Sequence, residues 1–436
     1  MTQARDMAAP FGLRLYAAAS RAAAPLARFA LSQRIKQGKE DPDRVTERMG
    51  EPSRSRPDGF LFWIHGASVG ESLSVLPLVR RLQEMRPDAH FLVTTGTVTS
   101  ARLMKERLPD GAIHQFIPVD HPAFVDRFIE HWRPQAAIFV ESEFWPNLIL
   151  AARRRTSMLA LVNGRVSPNS FDDWRKKPAT IAYLLRQFDL MIAQDRQNAE
   201  RLAALSKRSV DSFGNLKNAA APLPVDDAAL ARIKQQIGAR PVWLAASTHP
   251  GEDVFVFDTH RALAADFPNL LTIIAPRHPA RGEDVRAQAM ASGLNAQKRT
   301  TGGEIVPEAG VYVADTLGEL GLFYRLANIA FVGGSLVEKG GHNPLEPARL
   351  GAAILHGPHV FNFVETYQGL RSAGGAALVR NERELATAVR RLLSDEKTRT
   401  AMTRAAASGA EASAERVLSR VADEIARNLK PDGIAA

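Results

Sequence analysis

Residues 333–347 read GGSLVEKGGHNPLEP, directly after the apolar run Ile329–Val332 and directly before helix-prone Ala348–Leu350, which Gly351 ends. A short unbroken apolar run of this kind reads as a buried strand. The glycine pairs Gly333-Gly334 and Gly340-Gly341 let backbone N–H groups approach a ligand closely, and the start of a following helix suits phosphate. His342, Asn343 and Glu346 add polar side chains where a ribose or base would sit. Strand, glycine-rich turn and helix together describe a nucleotide pocket in an α/β protein. The same residues also suit a tight structural turn that holds no ligand.

The alternation of apolar runs with helical patterns extends along the chain from about residue 60. In the first half, strands are expected at 60–65, 91–95, 136–140, 158–162, 190–193 and 210–213, with helices such as Ser72–Met85 and Gln197–Leu205 between them. In the second half they are expected at 242–246, 270–275, 311–314, 329–332 and 353–355. Short apolar strands separated by helices imply parallel sheets covered on both faces. The Ala/Pro/Asp-rich stretch from residue 216 to 241 reads as the connection between two Rossmann-like halves. In such sheets ligands sit beyond the carboxyl ends of the strands.

At 436 residues two domains are the natural expectation, and 45% hydrophobic with 24% charged residues is ordinary for a globular protein. No cysteine is present, which removes disulfides, thiolate nucleophiles and cysteine-bound metal clusters together. The formal net charge of +9 favours acidic partners: nucleic acid, anionic lipid or phosphorylated substrates. Residues 1–39 hold seven Lys/Arg against the single acid Asp6, and Arg14, Arg21 and Arg28 recur every seventh residue. Phe11, Leu13, Leu15, Phe29 and Leu31 lie between them, as in a helix that rests on an anionic membrane; an ordinary surface helix with a solvated basic face has the same pattern. No apolar run is long enough for a transmembrane helix, and there is no secretory signal. Dinucleotide-fold G-x-G-x-x-G, P-loop and H-E-x-x-H motifs are all absent.

Candidate chemistry falls at strand ends. The first strand runs into His65-Gly66-Ala67-Ser68-Val69-Gly70-Glu71, where Glu71 suits either a helix cap or a general base. Glu141-Ser142-Glu143-Phe144-Trp145-Pro146-Asn147 puts two carboxylates beside an aromatic pair, either in a site or holding arginines. Asn163-Gly164-Arg165 and Gly214-Asn215-Leu216-Lys217 end two more strands. In the second half, Ser247-Thr248-His249, Pro276-Arg277-His278-Pro279 and the stretch Asp315 to Leu320 do the same, and Arg277 suits a bidentate grip on phosphate. The basic clusters gather in the second half, which argues for a nucleotide-bearing donor there and an acceptor in the first.

These blocks resemble the 3-deoxy-D-manno-octulosonic acid (Kdo) transferases. The resemblance is carried by SVGE at 68–71, ESEFWPN at 141–147, NGRVS at 163–167, GNLK at 214–217, STH at 247–249, PRHP at 276–279, LGELG at 317–321, GGSL at 333–336, GGHNPLEP at 340–347 and GPHVFNF at 357–363. It implies the GT-B fold, two Rossmann-like domains with parallel sheets facing an interdomain cleft. It also implies transfer of Kdo from CMP-Kdo to a lipid A precursor at the cytoplasmic face of the inner membrane, with no metal and no cofactor besides the donor substrate. By the same resemblance Glu71 is the general base, and Glu141 and Lys217 stabilise the transition state. Contacts to the nucleotide sugar fall to Pro276, Arg277, Leu317, Gly318, Glu319, Asn343, Pro344, Leu345 and Glu346. The implied organisation is a basic membrane-associated segment at 1–45, an acceptor-binding domain at 46–220, a linker at 221–241 and a CMP-sugar-binding domain with C-terminal helices at 242–436. The sequence departs from the family in its Ala/Arg-rich start, where many members carry an apolar anchor, and in ESEFWP where ETELWP is more usual. Residues 371–436 carry no signature, and their helical pattern suits packing back on the first domain. A GT-B enzyme that uses a UDP-sugar on a lipid-linked acceptor is the alternative. A nucleic-acid binder is disfavoured, since the five Trp and five Tyr are scattered rather than interleaved with the basic residues.

Overall fold

The computed structural model describes residues 9–220, 222–302 and 304–429. Residues 1–8 of the expected membrane segment, residue 221 of the expected linker and residues 430–436 of the expected C-terminal domain lie outside the described residues. The chain divides into two compact units: residues up to Ala220 together with those from Ala414, and residues 221–413.

The first unit is built on seven parallel strands: β1 (Leu61–His65), β2 (His90–Thr95), β3 (Ala112–Phe116), β4 (Ala136–Val140), β5 (Met158–Gly164), β6 (Leu190–Ala193) and β7 (Asp211–Ser212). Their order is β3-β2-β1-β4-β5-β6-β7. The chain enters at the centre, winds to one edge, then crosses back to β4. The strand order therefore reverses between β1 and β4, where α/β sheets open a crevice at their carboxyl ends. β1 and β4 are buried along their whole length because helices cover both faces. Trp63 shows how a large polar-tipped ring is accommodated there. It packs on Phe128 and Phe139 with ring centroids 5.0 and 5.2 Å away, and its Nε1 donates to Thr94 Oγ1 at 2.9 Å.

The second unit repeats the plan with β8 (Val242–Thr248), β9 (Leu271–Pro276), β10 (Ala296–Lys298), β11 (Val311–Val313), β12 (Ile329–Val332), β13 (Ala353–His356) and β14 (Ala376–Leu378). The order is β10-β11-β9-β8-β12-β13-β14, and all pairs are parallel. Here the order reverses between β8 and β12. Trp243 donates to Thr272 Oγ1 at 2.8 Å, the counterpart of Trp63 and Thr94.

Three expected boundaries need correction. The N-terminal segment is not separate from the first unit. It forms two helices, Phe11–Ala22 and Ala24–Lys36, with Pro25 in the first turn of the second, where its missing N–H is harmless. Leu13 and Leu31 are buried, and Tyr16 donates to Asp120 at 2.9 Å. Residues 221–241 are not a bare linker. Asp226 accepts from Ala229 N and caps the helix Asp227–Ile237, whose Ala229, Leu230, Ile233 and Ile237 enter the second unit's core. Residues from 414 pack on the first unit, as their helical pattern suggested, so the second unit ends at Ser413 rather than at 436. In the first unit Val417, Val421 and Ile425 pack with Phe62 and Val75, and Arg81 pairs with Glu415 at 2.6 Å.

Candidate functional site

At the switch point of the first sheet, β1 ends in His65 and the chain turns into the helix Val69–Met85 through Gly66-Ala67-Ser68. Ser68 caps that helix. Its Oγ accepts from Glu71 N at 3.3 Å and donates to Glu71 Oε1 at 2.8 Å, while Glu71 Oε2 accepts from Ala67 N at 2.8 Å and Ser68 N at 3.4 Å. This reciprocal capping box fixes the Glu71 rotamer. Oε2 is filled by its two N–H donors, but Oε1 still has a lone pair to offer, so capping and proton acceptance are compatible.

Glu141 directly follows β4, and β5 carries Asn163 near its end. Both residues adopt left-handed backbone conformations, with φ of +61° and +53°. Such conformations cost non-glycine residues about 1–3 kcal/mol and tend to mark functional sites. Glu141 is 3% exposed, yet Lys217 Nζ lies 2.5 Å from its Oε1. Asn163 ties the group together: its Nδ2 donates to Glu141 Oε1 at 3.4 Å, and its Oδ1 accepts from Leu216 N at 2.9 Å. Lys217 also runs past Gly70, where an added Cβ would lie 3.8 Å from its Cε. Glu71, Glu141 and Lys217, predicted from separate motifs, thus converge on one strand-end crevice. Asn163 is the member that residue-by-residue reasoning left without a role. Glu143 faces elsewhere: it accepts from Trp145 Nε1 at 2.5 Å and stands 3.6 Å from His65 Nε2, too far for a hydrogen bond. Burial works against its charge, but the His65 and Trp145 partners prevail and hold its pKa below the usual value.

In the second unit the glycine-rich turn after β12 differs from the sequence expectation. Gly334, Ser335 and Leu336 present three N–H groups in a row, but a carboxylate of the chain already fills the cradle. Glu252 accepts from Gly334 N at 2.6 Å, Ser335 N at 3.0 Å, Leu336 N at 2.9 Å and His249 N at 3.0 Å. Glu252 is wholly buried; burial pushes its pKa up and the four N–H groups oppose that rise. The first glycine pair is therefore a structural anchor for Glu252, not a phosphate cradle. The helix after the second pair is only Leu345–Arg349, too short to act as a phosphate-binding dipole.

The turn instead sets side chains in place. Gly334 has φ +67°, and a Cβ on it would press on the His342 ring at 3.2 Å. His342 Nε2 meets His249 Nε2 at 2.9 Å with ring planes 4° apart and centroids 5.2 Å apart. So long a centroid separation with so short an N···N contact means the rings meet edge to edge. His278 lies across His249 at 6.2 Å. Burial, followed by His249, Arg277 and His278, pulls the His342 pKa down to about 4. The His249 pKa is also lowered, by burial and then by Lys339, His278, Arg277 and Arg281. Arg277 is exposed just past Pro276, and among the described residues its guanidinium has no hydrogen bond or ion pair. Asn343 Oδ1 accepts from Leu345 N at 3.1 Å, and its Nδ2 approaches Glu346 at 3.5 Å. Burial raises the Glu346 pKa, opposed by Asn343 and by the Arg277 charge.

The Leu317–Glu319 loop stands apart from these contacts. Leu317 is 84% exposed, Gly318 has φ +83°, and Glu319 is committed to Arg299 at 2.8 and 3.1 Å and to Thr316 at 2.5 Å. The structure thus brings Arg277, His249, His342, Asn343 and Glu346 together and leaves Glu319 in an ion pair of its own.

The comparisons with known proteins agree with one another. A sequence profile of the family described as 3-Deoxy-D-manno-octulosonic-acid transferase (kdotransferase) matches residues 43–220. The 3-deoxy-D-manno-octulosonic acid transferase of Rickettsia bellii (strain RML369-C) is 33% identical over 387 residues, 89% of this chain and 92% of that protein. The protein of the same name from Haemophilus influenzae is 37% identical over 369 residues, 82% of this chain and 84% of its own. Among solved structures, a glycosyltransferase from Rickettsia africae ESF-5 matches 86% of this chain and 100% of its own, with a TM-score of 0.59 at 11% identity. That last likeness concerns the fold alone.

Proposed function

Because this chain belongs to the 3-deoxy-D-manno-octulosonic acid (Kdo) transferase family, and so is a glycosyltransferase, we propose that it transfers Kdo from CMP-Kdo to a lipid A precursor, lipid IVA, in lipopolysaccharide core biosynthesis. The observation that carries the reading is the Glu141–Lys217–Asn163 group beside Glu71 at the first sheet's switch point. Glu71 takes the proton of the acceptor sugar hydroxyl as that oxygen bonds to the anomeric carbon of Kdo. The bond from that carbon to the CMP phosphate breaks, and its electron pair leaves on the phosphate. The departure inverts the configuration. Lys217, held by Glu141, sets a positive charge where the transition state needs one. On the donor side, the unpaired Arg277 offsets the charge of the leaving CMP, so the reaction runs without a divalent ion.

The acceptor is an anionic lipid, and the N-terminal helices suit a membrane surface. Phe11, Leu15, Leu26 and Phe29 are between 57% and 72% exposed, and Arg14, Arg21 and Arg28 are exposed among them. Among the described residues no helix is long and apolar enough to cross a membrane. On this reading the enzyme works at the cytoplasmic face of the inner membrane, held by an apolar and basic surface. Phe11→Ser with Phe29→Ser should release the folded protein from anionic vesicles; undiminished binding would contradict this part of the reading.

Nucleotide competition tests the donor assignment. CMP should bind the protein and inhibit transfer, and UDP should do neither. Inhibition by UDP with none by CMP would move the protein to the UDP-sugar class.

A further inference from the structure

The edge-to-edge contact of His249 and His342 lies at the second sheet's switch point, between the ends of β8 and β12, where a ligand of such a fold sits. An Nε2···Nε2 separation of 2.9 Å holds one proton between two lone pairs. In the uncharged pair one ring donates through Nε2–H and the other accepts. Only the accepting ring then carries its N–H proton on Nδ1, so the pair offers one N–H outward. Adding a proton leaves the shared contact in place and gives both rings an Nδ1–H, two outward donors with a full positive charge.

We propose that the His249–His342 pair takes up one proton when the donor's phosphodiester binds, and that the resulting imidazolium pair is part of the anion-binding surface with Arg277. The inference rests on the reading of the second unit as the site of the nucleotide sugar. The charged groups around the pair make anion binding the trigger. Arg277, His278 and Arg281 lie beyond β9, and Lys339 lies in the turn that precedes His342. They disfavour a further cation as long as no anion is present. On the acid side, Glu252 is spent on the backbone N–H groups of the turn and on His249 N, Arg281 is paired with Asp253, and Glu346 faces Arg277. Among the described residues no carboxylate therefore pre-charges the pair. A bound phosphodiester reverses the balance, because its negative charge offsets the cations and rewards two N–H donors. The pair is partly accessible: both rings are half-buried, not sealed in the core. During transfer the same charge faces the phosphate as it gains the electron pair of the breaking bond.

Calorimetric titration of the full chain with the methyl ester of cytidine monophosphate tests this. That probe is a phosphodiester with no titration of its own near neutrality. Titrations in two buffers of different ionisation enthalpy report the protons exchanged on binding. The parent protein should take up about one proton per nucleotide near neutral pH, and affinity should weaken by up to about tenfold per pH unit on the alkaline side. His342→Gln and His249→Asn should bind more weakly and lose the uptake, and His278→Asn should keep it. Binding by the parent without proton uptake would overturn the proposal. So would uptake that survives in both His342→Gln and His249→Asn. No binding by the parent at all would count against the donor reading itself, and the proposal would fall with it.

Discussion

Lys217 Nζ stands 2.5 Å from Glu141 Oε1, joining the turn after β7 to the end of β4. The lysine side chain is 39% exposed and the glutamate 4%, so the pair reaches from the core to the crevice. On the proposed mechanism the buried glutamate aims the ammonium at the substrate. Lys217→Ala should lower kcat by about 100- to 1000-fold, as for the loss of one preorganised charge at a transition state. Lys217→Arg should recover only part of it, because a planar fork does not reproduce a point charge. Steady-state kinetics of both variants would check this; an Ala variant with parental kcat would make the ion pair purely structural.

Glu71 caps a helix and is the proposed base, and the two roles separate by substitution. Glutamine retains the capping box, whereas alanine loses it at about 1 kcal/mol. Glu71→Gln should therefore melt like the parent, bind CMP like the parent and lose about 100- to 10,000-fold in kcat. If Glu71→Gln keeps its activity, Glu71 is only a cap.

Glu252 holds the turn that positions His342. Glu252→Gln would aim an amide NH2 at N–H groups that need an acceptor. Destabilisation on the order of 3 kcal/mol is expected, from the charged hydrogen bonds lost and a donor left unpaired. Chemical denaturation would measure it, and CMP affinity should fall in parallel because His249 and Gly334 are bound to the same carboxylate. Parental stability in this variant would contradict the role given to Glu252.

Several imidazoles are held neutral by the fold. The His114 pKa is lowered to about 3 by burial and Arg44, that of His260 to about 4 by burial and Arg240, and that of His356 to about 4, chiefly by burial. The unfolded chain protonates these groups first as pH falls below their ordinary value of about 6.5. Their contribution to stability is therefore complete above that value and is lost between it and the folded pKa. Each group adds a slope of about 1.4 kcal/mol per pH unit in that window. The buried carboxyls Asp120, Glu252 and Glu346 have raised pKa values and act in the opposite sense. The clean observable is a difference: His260→Asn should remove one histidine's share of the slope between about pH 6.5 and pH 4. An unchanged slope would mean that His260 titrates normally in the folded protein.

What was legible in the sequence follows from where the partners lie. β4, β6 and β12 fall where continuous apolar runs placed them, because two-sided burial writes itself into consecutive residues. β3 reads AIHQF and was not anticipated. Its polar residues find partners far along the chain: His114 meets Arg44 and Thr95, and Gln115 Oε1 accepts from Trp132 Nε1 at 2.9 Å, although Gln115 Nε2 is left without a partner. β10 and β14 are three-residue edge strands, too short to leave a pattern. The helix Asp227–Ile237 did leave a signal, an Asp cap followed by Leu230, Ile233 and Ile237, but a neighbouring Pro-rich stretch masked it. In the candidate site, Glu71, Glu141 and Lys217 could be singled out because each lies in the turn or helix start that follows a strand. The occupant of the glycine turn was not, since Glu252 lies more than 80 residues upstream and nothing local announces it. For the same reason the His249–His342 contact emerges only when β8 and β12 are laid side by side.

The measurement that bears most directly on the proposed chemistry is transfer from CMP-Kdo, generated in place, to a tetra-acylated lipid A precursor in detergent with EDTA present, with product mass as the readout. The account predicts precursor extended by one or more Kdo units in the parent and none in Glu71→Gln. No product from a parent protein that binds CMP would contradict the acceptor assignment, and product only after a divalent ion is restored would contradict the metal-independent mechanism.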